Sequence, residues 1–160
     1  MAQTVRRILV PIDFSEHSRH ALEHALSLAE PLGASVDLLH VWVPPRHVAP
    51  DTLLLVPGSA DASLETTGLT HAGRELHAWL ERYRSSPVLL QAHLERGHAA
   101  ETIAHVAEHG YDLIVMGTHG RTGLARVMLG SVAQKVSTLA PCPVMTVRAT
   151  EPESASAPSA

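Results

Sequence analysis

The chain has 160 residues, 45% of them hydrophobic and 18% charged, with a formal net charge of -4. That size suggests one domain able to bury a core without disulfides or a structural metal. Twelve Lys and Arg face sixteen Asp and Glu with no basic run, and aromatic residues make up 3%, which argues against nucleic acid as a partner, because clustered cations and stacking platforms are lacking. No apolar run approaches the ~18 residues of a membrane helix, the first residues carry no signal-peptide core, and the single cysteine, Cys142, excludes an internal disulfide framework. A cytoplasmic, soluble, single-domain protein is expected over residues 1–149, followed by a polar, proline-containing tail at 150–160 that is expected not to pack.

Val5 to Ile12 reads as a buried strand ending at Asp13. Ser15 fits a helix N-cap, with Glu16 at the positive end of the helix dipole. Apolar residues recur at helical spacing through Ala29, and Pro31 and Gly33 are expected to stop the helix. Ser35 to Val43 is a second strand, closed by Pro44-Pro45. The stretch 44–68 has four prolines, two glycines and no clear period, and is left as a long loop of functional or mobile character. Its Leu53-Leu54-Leu55-Val56 run is suited to docking on the body or on a partner. A helix is expected over 69–84, a strand over 88–94 and a helix over 99–108. Tyr111 to Met116 is a nearly continuous apolar strand, expected to be central and covered on both faces. A last helix over 131–139 and a strand over 143–148 complete the chain. Alternating strands and helices imply an α/β fold, a doubly wound five-stranded parallel sheet of order 3-2-1-4-5. In such a sheet ligands bind beyond the carboxyl ends of the strands where the order reverses, here between the first and fourth strands.

Those ends carry Pro11-Ile12-Asp13 and the glycine-bearing stretch that begins at Gly117. Gly117 at the strand exit allows close backbone approach and a positive φ. Gly120 adds a second such position, giving a nest of amides suited to phosphate oxygens. Gly130-Ser131 opens the last helix, where free amides, the dipole and a hydroxyl all favour an anion. The alternative is that these glycines only turn a long loop.

The spacing Gly117-x2-Gly120-x9-Gly130-Ser131 resembles the signature of ATP-binding universal stress proteins. ILVPIDFSEHS near the start, LLHV at Leu38 to Val41 and APCPVMTVR near the end are similar to the first, second and last strands of that family. The resemblance covers about residues 4–148. It implies an adenine nucleotide alpha hydrolase-like (Rossmann-like) sandwich that binds ATP, with Mg2+ on the phosphates. By that resemblance Asp13 faces adenine and ribose, Pro11 lines the base pocket, and the Val41 backbone reads the adenine edge. The segment Gly117, Thr118, His119, Gly120, Arg121, Thr122 and Gly123 wraps ribose and phosphates, with Arg121 placed to neutralise phosphate charge. Gly130, Ser131 and Val132 supply amide and hydroxyl donors. For Asp13 a second reading stands, a carboxylate capping the Ser15-Glu16 amides; for Val41 it is plain core packing.

No G-x4-GK[ST], G-x-S-x-G or HExxH stands in the chain, and the only lysine is Lys135, inside the last helix. Binding is therefore expected rather than efficient catalysis, in a nucleotide-responsive regulator or stress-survival factor with a possible regulatory protein partner. A slow metal-dependent ATPase and a nucleotide-free dimeric interaction module stay open. His17, His20 and His24 share a helix face, read as solvated rather than metal-binding, and His105 and His109 are read alike. Cys142 reads as a small buried hydrophobe. The last strand, Val144, Met145, Thr146 and Val147, lies at the sheet edge in the proposed order. By the resemblance it pairs across a two-fold axis in a homodimer.

Overall fold

The computed structural model describes residues 4–53, 63–118 and 129–148. The elements are β1 (Arg7–Pro11), α1 (Glu16–Leu32), β2 (Ser35–Trp42), α2 (Leu64–Arg82), β3 (Leu90–Arg96), α3 (Ala99–Ala107), β4 (Leu113–Gly117), α4 (Ser131–Leu139) and β5 (Val144–Val147). The five strands form one sheet of order β3-β2-β1-β4-β5, and every neighbouring pair is parallel. This is the order expected from the alternation of elements.

Side-chain alternation along β1 shows why helices cover both faces. Ile8 and Val10 point into a core with Leu22, Ala25, Leu76 and Trp79 of α1 and α2. Leu9 points the other way, into a core with Ile103, Ala107 and Val136 of α3 and α4. Successive strand side chains alternate faces, so a strand apolar at every position must be sandwiched. Ile114 and Val115 of β4 are likewise fully buried. No helix among the described residues is long and apolar enough to cross a membrane.

Several boundaries differ from expectation, and three stand out. First, α1 runs through Pro31 and ends at Leu32, where Gly33 takes the left-handed conformation, φ 62°, and its amide bonds back into the last turn. Pro31 forfeits only the amide bond to the Ser27 carbonyl, on an exposed residue that solvent can reach. Second, β3 runs two residues later than expected, over Leu90–Arg96.

Third, α2 starts at Leu64, within the stretch left as a loop. Ser63 caps it, its hydroxyl accepting from the Thr66 amide at 3.1 Å. An antiparallel bridge joins Leu53 to Ser63, and the Leu64 amide donates to the Thr52 carbonyl at 2.9 Å. Leu53 is 68% exposed; Leu54, Leu55 and Val56 lie outside the described residues, as does the 150–160 tail.

Packing explains why a weak helix former sits so near the start of α2. A Cβ added to Gly68 would lie 2.4 Å from Nε1 of the Trp42 indole, whereas one on Gly73 would meet only Leu94 Cδ2 at 3.8 Å. Alanine is ordinarily favoured over glycine in a helix interior by about 1 kcal/mol. Gly73→Ala is expected to show that gain in a urea titration, and Gly68→Ala to lose about 1–3 kcal/mol through overpacking. Equal stability of the two variants would mean that α2 is not seated on the indole.

β5 forms the sheet edge. Met145 and Thr146 are exposed, Val144 half-buried and Val147 buried. Cys142, just before it, is half-buried and packs on the α3–α4 core. Burial, with the nearby Asp112 charge, pushes its thiol above the ordinary value, the opposite of what an activated thiolate needs.

Candidate nucleotide site

β1 and β4 pair only through Ile8–Leu113 and Leu9–Ile114. Past Leu9 they part, β1 turning into α1 on one face while the chain after β4 leads to α4 on the other. A cavity of about 310 Å³ opens between their carboxyl ends, at the lower end of the ~300–1,000 Å³ usual for small-molecule sites.

Pro11, Asp13, Val41, Gly117, Thr118, Gly130, Ser131 and Val132 all line this cavity. Four separate segments therefore converge there. His119, Gly120, Arg121, Thr122 and Gly123 lie outside the described residues.

Asp13 sits in a tight polar corner. Its Oδ1 accepts from the Ser15 amide at 3.1 Å, from the Ser18 hydroxyl at 3.0 Å and from the Ser15 hydroxyl. The capping reading of Asp13 thus holds for Ser15, while Ser15 itself caps α1 by accepting from the Ser18 amide. The carboxylate is oriented by groups only two and five residues ahead, so the β1–α1 corner comes pre-shaped.

Two expectations about the glycines change. Gly117 is absent from the positive-φ glycines, which are Gly33, Gly97 and Gly110 among the described residues. What Gly117 supplies is close approach to α1: a Cβ there would press on the His17 backbone at 3.0 Å. Gly130 has ordinary extended backbone, φ -60° and ψ 152°. Its amide donates to the Thr118 carbonyl at 2.7 Å, closing the two ends of the loop together, so it is not the open donor expected.

The start of α4 remains suited to an anion. Its N-cap provides no side-chain bond and its first turn holds no acidic residue. The exposed Ser131 hydroxyl stands there, and the leading amides and the dipole add positive potential. Lys135, further along α4, pairs with Glu101 of α3 and holds that carboxyl below its ordinary value. The lysine thus ties two helices and does not line the cavity.

Ser18, 4% exposed, and His40, whose Nδ1 lies 2.8 Å from the Ile12 carbonyl, also line the cavity although neither belongs to the glycine motif. Ser18 had a signal, its place three residues after the N-cap. His17 is half-buried over Gly117, not solvated, whereas His24 is exposed as expected. Among the described residues no three His, Cys, Asp or Glu side chains group as a metal site.

Residues 4–148 match the profile of the Universal stress protein family. The chain belongs to that family. A universal stress protein of Mycolicibacterium smegmatis is 33% identical over 141 residues, which are 88% of this chain but 45% of that protein, so the chain spans about half its length. YxiE of Bacillus subtilis is 33% identical over 148 residues, covering 89% of this chain and 98% of YxiE. Of solved structures, MJ0577 of Methanocaldococcus jannaschii superposes with a TM-score of 0.74 at 24% identity, over 94% of this chain and all of that one. A universal stress protein in complex with cAMP superposes with a TM-score of 0.67 at 20% identity, over 92% of this chain and all of that one. MJ0577 and the cAMP-bound protein therefore share the fold described above.

Proposed function

We propose that this universal stress protein binds ATP in the β1–β4 cavity and works as a nucleotide-responsive regulator or stress-survival factor. The observation that carries this reading is the convergence of Pro11, Asp13, Val41, Gly117 and the Gly130-Ser131-Val132 turn on one cavity at the point where the sheet order reverses. Adenine and ribose would take the Pro11–Asp13–Val41 end, and the phosphates the amino terminus of α4. A relative of the same fold carries cAMP, which supports an adenine nucleotide as the ligand class. His119, Gly120, Arg121, Thr122 and Gly123 belong to this reading as ribose- and phosphate-side groups. Only Asp13 offers a carboxylate to the cavity among the described residues, and its Oδ1 already takes three donors. Mg2+ accompanying ATP would therefore be held by the phosphates, with Asp13 alongside. A homodimer through the β5 edge and a cytoplasmic setting complete the proposal.

The test is small-molecule mass spectrometry on denatured, freshly purified protein, followed by calorimetric titration with ATP, with and without Mg2+. Bound ATP or ADP, or saturable ATP binding, is the expected result. No binding in either experiment overturns the reading and favours a nucleotide-free interaction module.

A further inference from the structure

Phe14 is the one non-glycine residue with positive φ among the described residues, at 65°. A bulky side chain rarely adopts that backbone, and it persists where the surroundings hold it, often beside a working site. Here the holding group is visible. The Phe14 ring rests on the His40 imidazole, centroids 4.4 Å apart and planes tilted by 34°. It meets Trp79 of α2 edge-on at 5.7 Å. His40 grips the same corner a second time, since its Nδ1 lies 2.8 Å from the Ile12 carbonyl. A carbonyl only accepts, so Nδ1 carries the hydrogen and donates. One side chain of β2 therefore fastens the residues on both sides of Asp13, and both His40 and Asp13 line the cavity.

We propose that His40 is a positioning residue for nucleotide recognition. By bonding Ile12 and supporting Phe14, it fixes the corner that presents the Asp13 carboxylate to the ribose and base. The proposal rests on the nucleotide reading above and identifies what sets the geometry of the adenosine end of that site. It assigns His40 no chemistry of its own; its effect passes through Asp13.

Two substitutions divide its two grips. His40→Asn keeps a donor on Cγ, as many bonds from the backbone as Nδ1, and loses the ring. His40→Phe keeps a ring against Phe14 and loses the donor. Each is assayed by displacement of a fluorescent ATP analogue, once by adenosine and once by tripolyphosphate, with thermal melts alongside. The expected result for His40→Phe is about 10-fold weaker adenosine binding, the scale of one lost hydrogen bond at a buried acceptor. Tripolyphosphate, which engages only the α4 end, is expected to stay within about 2-fold, and His40→Asn to keep adenosine within about 3-fold by the same scale. In an Asp13→Ala background, adding His40→Phe is expected to cost adenosine less than about 2-fold, since groups acting as one unit are not additive. If His40→Phe does not fold, His40→Ala serves as the donor-free variant.

Equal losses for both ligands would overturn the proposal. So would a full 10-fold loss persisting without the Asp13 carboxylate, or an Asn variant no better than Phe. Wild-type protein that binds neither adenosine nor ATP would overturn the nucleotide reading itself, and this inference with it. Wild-type binding that His40→Phe leaves unchanged overturns the inference alone.

Discussion

Gly130→Asp is expected to weaken ATP binding by at least about 100-fold while leaving the fold as stable as before or slightly more so. Both halves of that expectation come from the same backbone. Gly130 is the N-cap of α4 with φ -60° and ψ 152°, a conformation open to any residue. Aspartate is among the preferred N-cap residues and exceeds glycine there by a few tenths of a kcal/mol. The first turn of α4 has no acidic residue to compensate its dipole, so the new carboxylate favours the helix. It also occupies the place proposed for the phosphates. Two like charges about 4 Å apart at an effective dielectric near 20 repel by about 4 kcal/mol, which exceeds a 100-fold loss. Gly130→Asn separates charge from shape, because it caps as well and carries no charge; it is expected to lose far less affinity. Calorimetric titration with ATP and thermal melts of both variants make the measurement. Undiminished affinity in the aspartate variant would remove the α4 terminus from the phosphate site. The analogous change at Gly117 is a poorer probe, because any Cβ there meets the His17 backbone at 3.0 Å and mixes folding with binding.

The contrast between these two glycines marks where the sequence could be read and where it could not. Strand order followed from alternation of apolar runs with amphipathic helices, since parallel strands with right-handed crossovers leave few arrangements. The switch point, and so the location of the cavity, followed from the order. Gly117, Gly130 and Ser131 of the motif then fell on it. What local pattern could not reveal was why each glycine is there. Gly117 lets β4 approach α1 closely, and Gly130 gives its amide to Thr118. Both facts depend on residues 100 or 12 positions away. The start of α2 is hidden from local pattern for the same reason. Leu64-Glu65-Thr66-Thr67-Gly68 has weak helix propensity, and what secures it is the Ser63 cap, the Arg96–Glu65 ion pair at 2.7 Å and the seat of Gly68 on Trp42. In the sequence His40 is one position of a strand-like run. Its meaning lies in Ile12 and Phe14, which come beside it only when β1 and β2 pair.

Asp37→Ala is expected to destabilise the protein by about 2–3 kcal/mol without altering ATP affinity, a separation that follows from the geometry of the sheet. Asp37 is 2% exposed and lies near the amino-terminal end of β2, in the register of Leu9 and Gln91. The cavity is at the opposite ends of the strands. Its Oδ2 accepts from Arg7 Nη2 at 2.8 Å and from the Tyr111 hydroxyl at 2.6 Å, with His93 Nε2 at 3.6 Å. The Arg7 guanidinium also lies over the Tyr111 ring, 4.3 Å from its centroid. Removing the carboxylate leaves a buried hydroxyl without that acceptor, which costs about 1–3 kcal/mol. The loss of the ion pair adds less than for a wholly buried one, because the Arg7 side chain is 42% exposed and can turn to water. At about 3 °C per kcal/mol for a domain of this size, the melting midpoint falls by about 6–9 °C. The Tyr111 hydroxyl gives the cluster a pH signature. Burial first, then its bond to Asp37, pushes its pKa above the ordinary value. The folded protein thus holds a proton that the unfolded chain releases near pH 10. Tyr111's contribution is complete below about pH 10 and is lost as pH rises through the folded value. Wild-type stability is therefore expected to fall more steeply than that of Tyr111→Phe above about pH 10, in urea titrations run from pH 8 to 11. Parallel curves would show that the hydroxyl is not held by the cluster, and a coupled loss of ATP affinity in Asp37→Ala would show that the two ends of the sheet are not independent.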